Sequence, residues 1–164
     1  MKHNILVGQS GGPTAVINGS LYGVVKRGLE TPQIDNIYGM VDGIEGFVNG
    51  NMMDMRTLEE NGTLPLLKTT PGAYLGSCRY KLPEDLSDPV YPQLFAKVAE
   101  YEIQSVFYIG GNDSMDTVSK LSRYAAKNES SIRFIGIPKT IDNDLVMTDH
   151  TPGFGSAAKY VAST

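Results

Sequence analysis

The chain has 164 residues, 41% of them hydrophobic and 20% charged, with a formal net charge of −4 and one cysteine. That length and balance describe a single soluble domain over residues 1–164, able to bury a core, without an internal disulfide and suited to a reducing cytoplasm. An acidic chain without a basic stripe argues against nucleic acid, and no apolar run reaches the roughly 18 residues of a membrane span or resembles a signal peptide.

The first element, "NILVG" (Asn4 to Gly8), is a short apolar run rich in β-branched residues and predicts a strand. "QSGGPT" breaks it, and "AVINGSLYGVVKRGL" follows at helical spacing, with Pro13 expected in the first turn of the helix. "QIDNIYGM" reads as a second, weaker strand. Residues 42–90 read as irregular, with short helical pieces and then the Pro- and Gly-rich "KTTPGAYLGSCRYKLPEDLSDPVYP". So long a loop in a compact domain is usually functional or disordered.

Regular pattern resumes at "YPQLFAKVAEYEI", a helix with apolar Leu94, Phe95, Val98 and Ala99. The strand "SVFYI" runs into "GGND", the helix "SMDTVSKLSRYAAKN" follows, and "IRFIGI" is a further strand ending in "PKTIDND". "GSAAKYVAST" begins a helix with Ser156 as its expected N-cap and stops in mid-pattern, as a chain truncated before a second domain would. Strands alternating with helices predict an α/β fold, Rossmann-like, with a mainly parallel sheet and helices on both faces.

In such sheets ligands bind beyond the carboxyl ends of the strands, and three of those ends are unusual. In "GQSGGPT", Gly11 and Gly12 let backbone N–H groups approach an anion, although taken alone the pair reads first as a tight strand-to-helix turn. It matches neither the dinucleotide fingerprint nor the Walker A loop. "GGNDS" repeats the glycine pair at Gly110 and Gly111; Asn112 or Asp113 suits a helix cap, a Mg²⁺ ligand or a phosphate site. In "PKTIDND", Asp142 and Asp144 are two apart, so an extended segment would point both carboxylates one way. One carboxylate could then accept a hydroxyl proton while the other serves a metal, and Lys139 could neutralise donor phosphates; a polar turn is the plainer alternative. Arg79 in "GSCRY" offers a planar fork for phosphate oxygens. Cys78 has no histidine partner nearby in sequence and reads as a packed residue.

Taken together, "SGGPTAVIN", "GSCRY", "GGNDS", "PKTIDND" and "TDHTPGFGSA" resemble, in order, the amino-terminal part of the phosphofructokinase family. The resemblance implies that Asp142 is the general base for the sugar 1-hydroxyl and that Thr140 and Asp142 line the fructose 6-phosphate site. It implies backbone contacts from Gly12 and Gly111 to the donor phosphates, and Arg79 against the transferring phosphoryl group. Asn112 and Asp144 would serve Mg²⁺, although Asn112 departs from the family's usual aspartate and is a weaker, neutral ligand. The ATP-using branch has glycine at the positions of Asp113 and Lys139, whereas the diphosphate-using branch resembles this chain. A carboxylate at Asp113 repels a nucleotide α-phosphate at a helix N-terminus, and Lys139 supplies charge to a phosphate leaving group.

The resemblance therefore implies a reversible glycolytic phosphotransferase acting on diphosphate and fructose 6-phosphate, with a homo-oligomeric parent protein. Family members carry two such domains, so the isolated monomeric chain is expected to be inactive as a kinase. Two rivals remain at this stage: an ATP-dependent 6-phosphofructokinase, and a phosphate-sensing module without catalysis.

Overall fold

Alternation along the first strand sends Leu6 to one face of a sheet and Ile5 and Val7 to the other, and all three are buried. A computed structural model describes residues 2–164. That strand, β1 (His3–Gln9), is central in a five-stranded sheet. Next to it lie β2 (Ile34–Met40) on one side and β4 (Ile103–Gly110) on the other, with β3 (Met52–Asp54) and β5 (Arg133–Pro138) at the edges. β1, β2, β4 and β5 run parallel, and β3 is antiparallel to β2.

The helices are α1 (Ile17–Leu29), α2 (Gly43–Val48), α3 (Thr57–Glu60), α4 (Val90–Glu100), α5 (Asn112–Lys127) and α6 (Phe154–Ser163). Leu6 packs with Phe47 of α2, Leu94 of α4 and Leu121 of α5. Ile5 and Val7 pack with Ile17, Leu21 and Val25 of α1 and with Leu64 of a 3-10 helix, Leu64–Lys68. Both faces of the sheet are thus covered, as predicted. Lys26 and Arg27 close α1 with positive charge at its negative end.

Three local expectations are corrected. Pro13 lies ahead of α1, which starts at Ile17, because Thr14 and its neighbours form a turn in which the Thr14 hydroxyl accepts from Val16 N. Ser156 lies inside α6, whose cap is Gly153. That position needs glycine: its φ is +115°, and a Cβ would stand 2.9 Å from Thr140 O. The stretch read as irregular contains β3, a strand of only 3 residues, too short for alternation to show.

The long segment after the 3-10 helix is tied down by buried amides. Gln9 accepts from Leu75 N at 2.9 Å and donates to Asn18 Oδ1 at 3.0 Å. Asn18 donates to Thr70 O and accepts from Tyr74 N. Both amides sit in the core, and each of their side-chain oxygens and nitrogens has a partner there.

Candidate functional site

β1 lies between β2 and β4, so the sheet reverses its winding direction at the β1–β4 step, where doubly wound folds bind ligands. The loops after β1, β4 and β5 converge there. Ser10 N donates to Ile109 O, and Lys139 N donates to Gly110 O, each at 2.9 Å. Glycine is required at Gly110, where a Cβ would stand 2.5 Å from Ser10 O. Gly11 has φ of +80°, the left-handed conformation that favours glycine.

Two clefts open at these ends. The first, about 300 Å³, is bordered by Gly12, Gly111, Asn112, Lys139, Thr140 and Asp142. The second, about 380 Å³, is bordered by Gly12, Cys78, Arg79, Lys81 and Asp113. Both sit at the small end of ligand clefts, which run from roughly 300 to 1,000 Å³, so each suits a compact anion. Gly12 belongs to both. A Cβ on Gly12 would meet no protein atom within 4 Å, so the missing side chain keeps the junction open.

Lys139 is buried at this junction, and its Nζ donates to Gly12 O at 2.7 Å. Burial pushes the ammonium below the ordinary lysine range, and the negative charge of Asp142 offsets part of that effect. Asp142 itself is exposed, and its N–H donates to the Thr140 hydroxyl at 3.1 Å. Arg79 is exposed at the rim of the second cleft. Across that cleft Lys81 Nζ stands 3.1 Å from the Asp113 carboxylate.

The loop after β5 has a specific shape. Asn143 has φ of +54°, so the segment is not extended there and the alternation that would align Asp142 with Asp144 is broken. Its amide instead closes the loop, donating to Asp149 O and accepting from Thr151 N, both at 3.1 Å. Asp142 borders the first cleft, and Asp144, although exposed, borders neither.

Among the described residues no three His, Cys, Asp or Glu side chains form a group that could hold a metal ion. Mg²⁺ needs less than that, because it keeps several waters and binds through one or two carboxylates plus phosphate oxygens. Asp142 and Asn112 on one cleft fit an ion that arrives with a phosphate ligand.

Sequence reasoning missed Lys81 and the two serines that join the arginine loop to the glycine loop. Ser10 Oγ donates to Cys78 O at 3.2 Å, and Ser77 Oγ donates to Gly11 O at 2.7 Å. Small hydroxyl residues beside glycines carry no pattern of their own, so only the fold reveals the pairing.

The architecture defines a doubly wound α/β domain with two clefts at its switch point. Residues 4–164 match the family model described as phosphofructokinase, and the chain belongs to that family. It is 47% identical over 162 residues to the pyrophosphate–fructose 6-phosphate 1-phosphotransferase of Rhodospirillum rubrum, covering 98% of this chain and 39% of that protein. It is 40% identical over 160 residues to the sulfofructose kinase of Alkalicoccus urumqiensis, covering 98% and 40% respectively. The crystal structure of the pyrophosphate-dependent phosphofructokinase of Marinobacter aquaeolei superposes with a TM-score of 0.87 at 42% identity, over 99% of this chain and 40% of that one. The chain spans about two fifths of the length of the curated relatives it matches.

Proposed function

We propose that this chain carries the phosphoryl-donor side of a diphosphate-dependent 6-phosphofructokinase. The observation that carries this reading is the shared cleft of Lys139 and Asp142, a buried cation and a carboxylate at one strand end. In the transfer, the Asp142 carboxylate takes the proton of the fructose 6-phosphate 1-hydroxyl. The freed oxygen attacks the terminal phosphorus of diphosphate, and the bridging P–O bond breaks with its electron pair leaving on inorganic phosphate. Lys139 stabilises the charge that gathers on that leaving phosphate. Arg79 faces the transferring phosphoryl group, and the backbone at Gly12 and Gly111 admits the phosphates closely. Thr140, beside Asp142, helps to line the sugar site.

Mg²⁺ bound with diphosphate would neutralise phosphate charge, with Asn112 nearest to hand on the first cleft and Asp142 left free to act as the base. Asp144, which borders neither cleft, would act on it only through water. Asp113 stands in the first turn of α5, where a nucleotide α-phosphate would need room and positive potential, so diphosphate is favoured over ATP. A cytoplasmic, homo-oligomeric parent protein fits the single cysteine and the family.

Titration calorimetry with Mg²⁺-diphosphate beside Mg²⁺-ATP tests the donor. Diphosphate binding without ATP binding is expected; preference for ATP would overturn the donor assignment and leave the family standing.

A further inference from the structure

Arg79, Tyr80 and Lys81 form a short bridge between two anchors. On the amino-terminal side Cys78 O accepts from Ser10 Oγ. On the other side the backbone at Leu82–Glu84 is held by two helices. Tyr91 of α4 donates its hydroxyl to Pro83 O at 2.6 Å. Lys120 of α5 donates to Leu82 O at 3.0 Å, and its ammonium lies 2.6 Å from Glu84 Oε1 and 2.7 Å from Asp116 Oδ2. An ammonium has three protons, and here three acceptors meet it.

The side chain of Lys120 is only 5% exposed, unusual for a lysine. The Asp116 and then the Glu84 carboxylate hold its ammonium above the ordinary lysine range, so it stays charged throughout the working pH range. Among the described residues the Arg79 guanidinium has neither an ion pair nor a hydrogen bond. Its location therefore depends on the backbone, and the backbone depends on these anchors.

We propose that Lys120 is a positioning residue, fixing the Arg79–Lys81 bridge over the second cleft so that both cations meet the donor phosphates. This rests on the donor-side reading above. Lys120 touches neither cleft, so it acts only through the loop. Removing its charge also reverses the sign of the local force. Glu84 and Asp116, now joined through one ammonium, would repel each other and push the loop away from α5. The conservative truncation is gentle to the fold. Both carboxylates are largely solvated, at 80% and 53% side-chain exposure, so Lys120→Met strands no buried charge and keeps the packed stem.

Three readouts on the chain test this: thermal midpoint, trypsin cleavage after Arg79 and Lys81 followed by mass spectrometry, and titration with Mg²⁺-diphosphate. In Lys120→Met the midpoint is expected to move by a few degrees at most, while cleavage at the two sites speeds up about tenfold and diphosphate binds about tenfold more weakly. Lys120→Arg should recover part of both. In the Arg79→Ala background, Lys120→Met should cost less affinity than it does alone, because one of the groups it places is gone. Unchanged cleavage overturns the proposal, as does faster cleavage with unchanged affinity. If the unaltered chain binds no diphosphate while Lys120→Met still loosens the loop, the donor reading fails together with the phosphate-placing role, and the anchor alone stands.

Discussion

The ammonium of Lys139 donates to the carbonyl oxygen of Gly12 at 2.7 Å, across 127 positions of sequence. A cation that follows the edge strand β5 and a glycine that follows the central strand β1 are thereby fixed as one wall of the first cleft, and Gly12 also borders the second. Lys139 still has protons for a ligand, because an ammonium has three donors and this contact uses one. Lys139→Met is expected to weaken Mg²⁺-diphosphate binding about 10- to 100-fold, the range for losing a charged hydrogen bond. Calorimetry with an unchanged thermal midpoint would place that loss in the site.

The same lysine gives a pH signature. Burial favours the neutral amine, so its proton leaves at lower pH than from an ordinary lysine. Diphosphate affinity should therefore fall on the alkaline side below the ordinary lysine value. Lys139→Arg, which stays charged, should lack that limb. For folding the consequence has the opposite sense: between the depressed and the ordinary value the unfolded chain holds more protons, so stability rises with pH there. An alkaline limb of binding that survives in Lys139→Arg would assign it to another group.

Asp142 should separate binding from chemistry. Asp142→Asn is nearly isosteric and removes the proton acceptor, so turnover in the full-length protein should drop by about 10²- to 10⁴-fold while Mg²⁺-diphosphate still binds. Binding with no turnover in either form would favour a phosphate sensor.

Donor choice is attributed to two positions. Replacing both Asp113 and Lys139 with glycine removes the carboxylate from the first turn of α5 and the charge from the junction. The double variant is expected to lose diphosphate preference and gain measurable ATP binding. No change in the ratio of the two affinities would sink the assignment. Asp113→Gly also frees Lys81 from its 3.1 Å partner, so the single variants are needed to apportion the shift.

Gln9 offers a purely structural test. Gln9→Ala would leave Leu75 N without its acceptor and open a cavity against Asn18. A loss of about 2–4 kcal/mol in denaturant unfolding is expected from one stranded buried donor plus the void.

Much of the layout of the candidate site was legible because its signals are local. Glycine pairs directly after apolar strands mark Gly12 and Gly111, and the density of charge after β5 marks Lys139 and Asp142. What escaped depends on three-dimensional pairing. Lys120 reads as a solvated helix charge, since nothing in α5 says that Leu82 O will pack over it. Lys81 reads as a surface lysine until Asp113 appears opposite. The Asp142–Asp144 pairing failed for a different reason: Asn143 takes a left-handed turn that sequence alternation does not register. The edge strand β3 was invisible because three residues hold too little pattern, and its partner β2 supplies the hydrogen bonds that define it.

The central place of β1 sets an order of events at the ribosome. Val7 pairs with Gly39 on one side and with Phe107 on the other, so the first strand made must wait for its second neighbour. At synthesis rates of about 5–20 residues per second, that wait lasts seconds, with one edge of β1 unsatisfied. Closure of the β1–β4 pair is a long-range contact that costs loop entropy before it returns any packing. Lys139 emerges later still, so the wall it forms with Gly12 is among the last features of the site to appear. A nascent chain released before that point carries the glycine loop and the Arg79–Lys81 bridge but lacks the lysine that closes the first cleft.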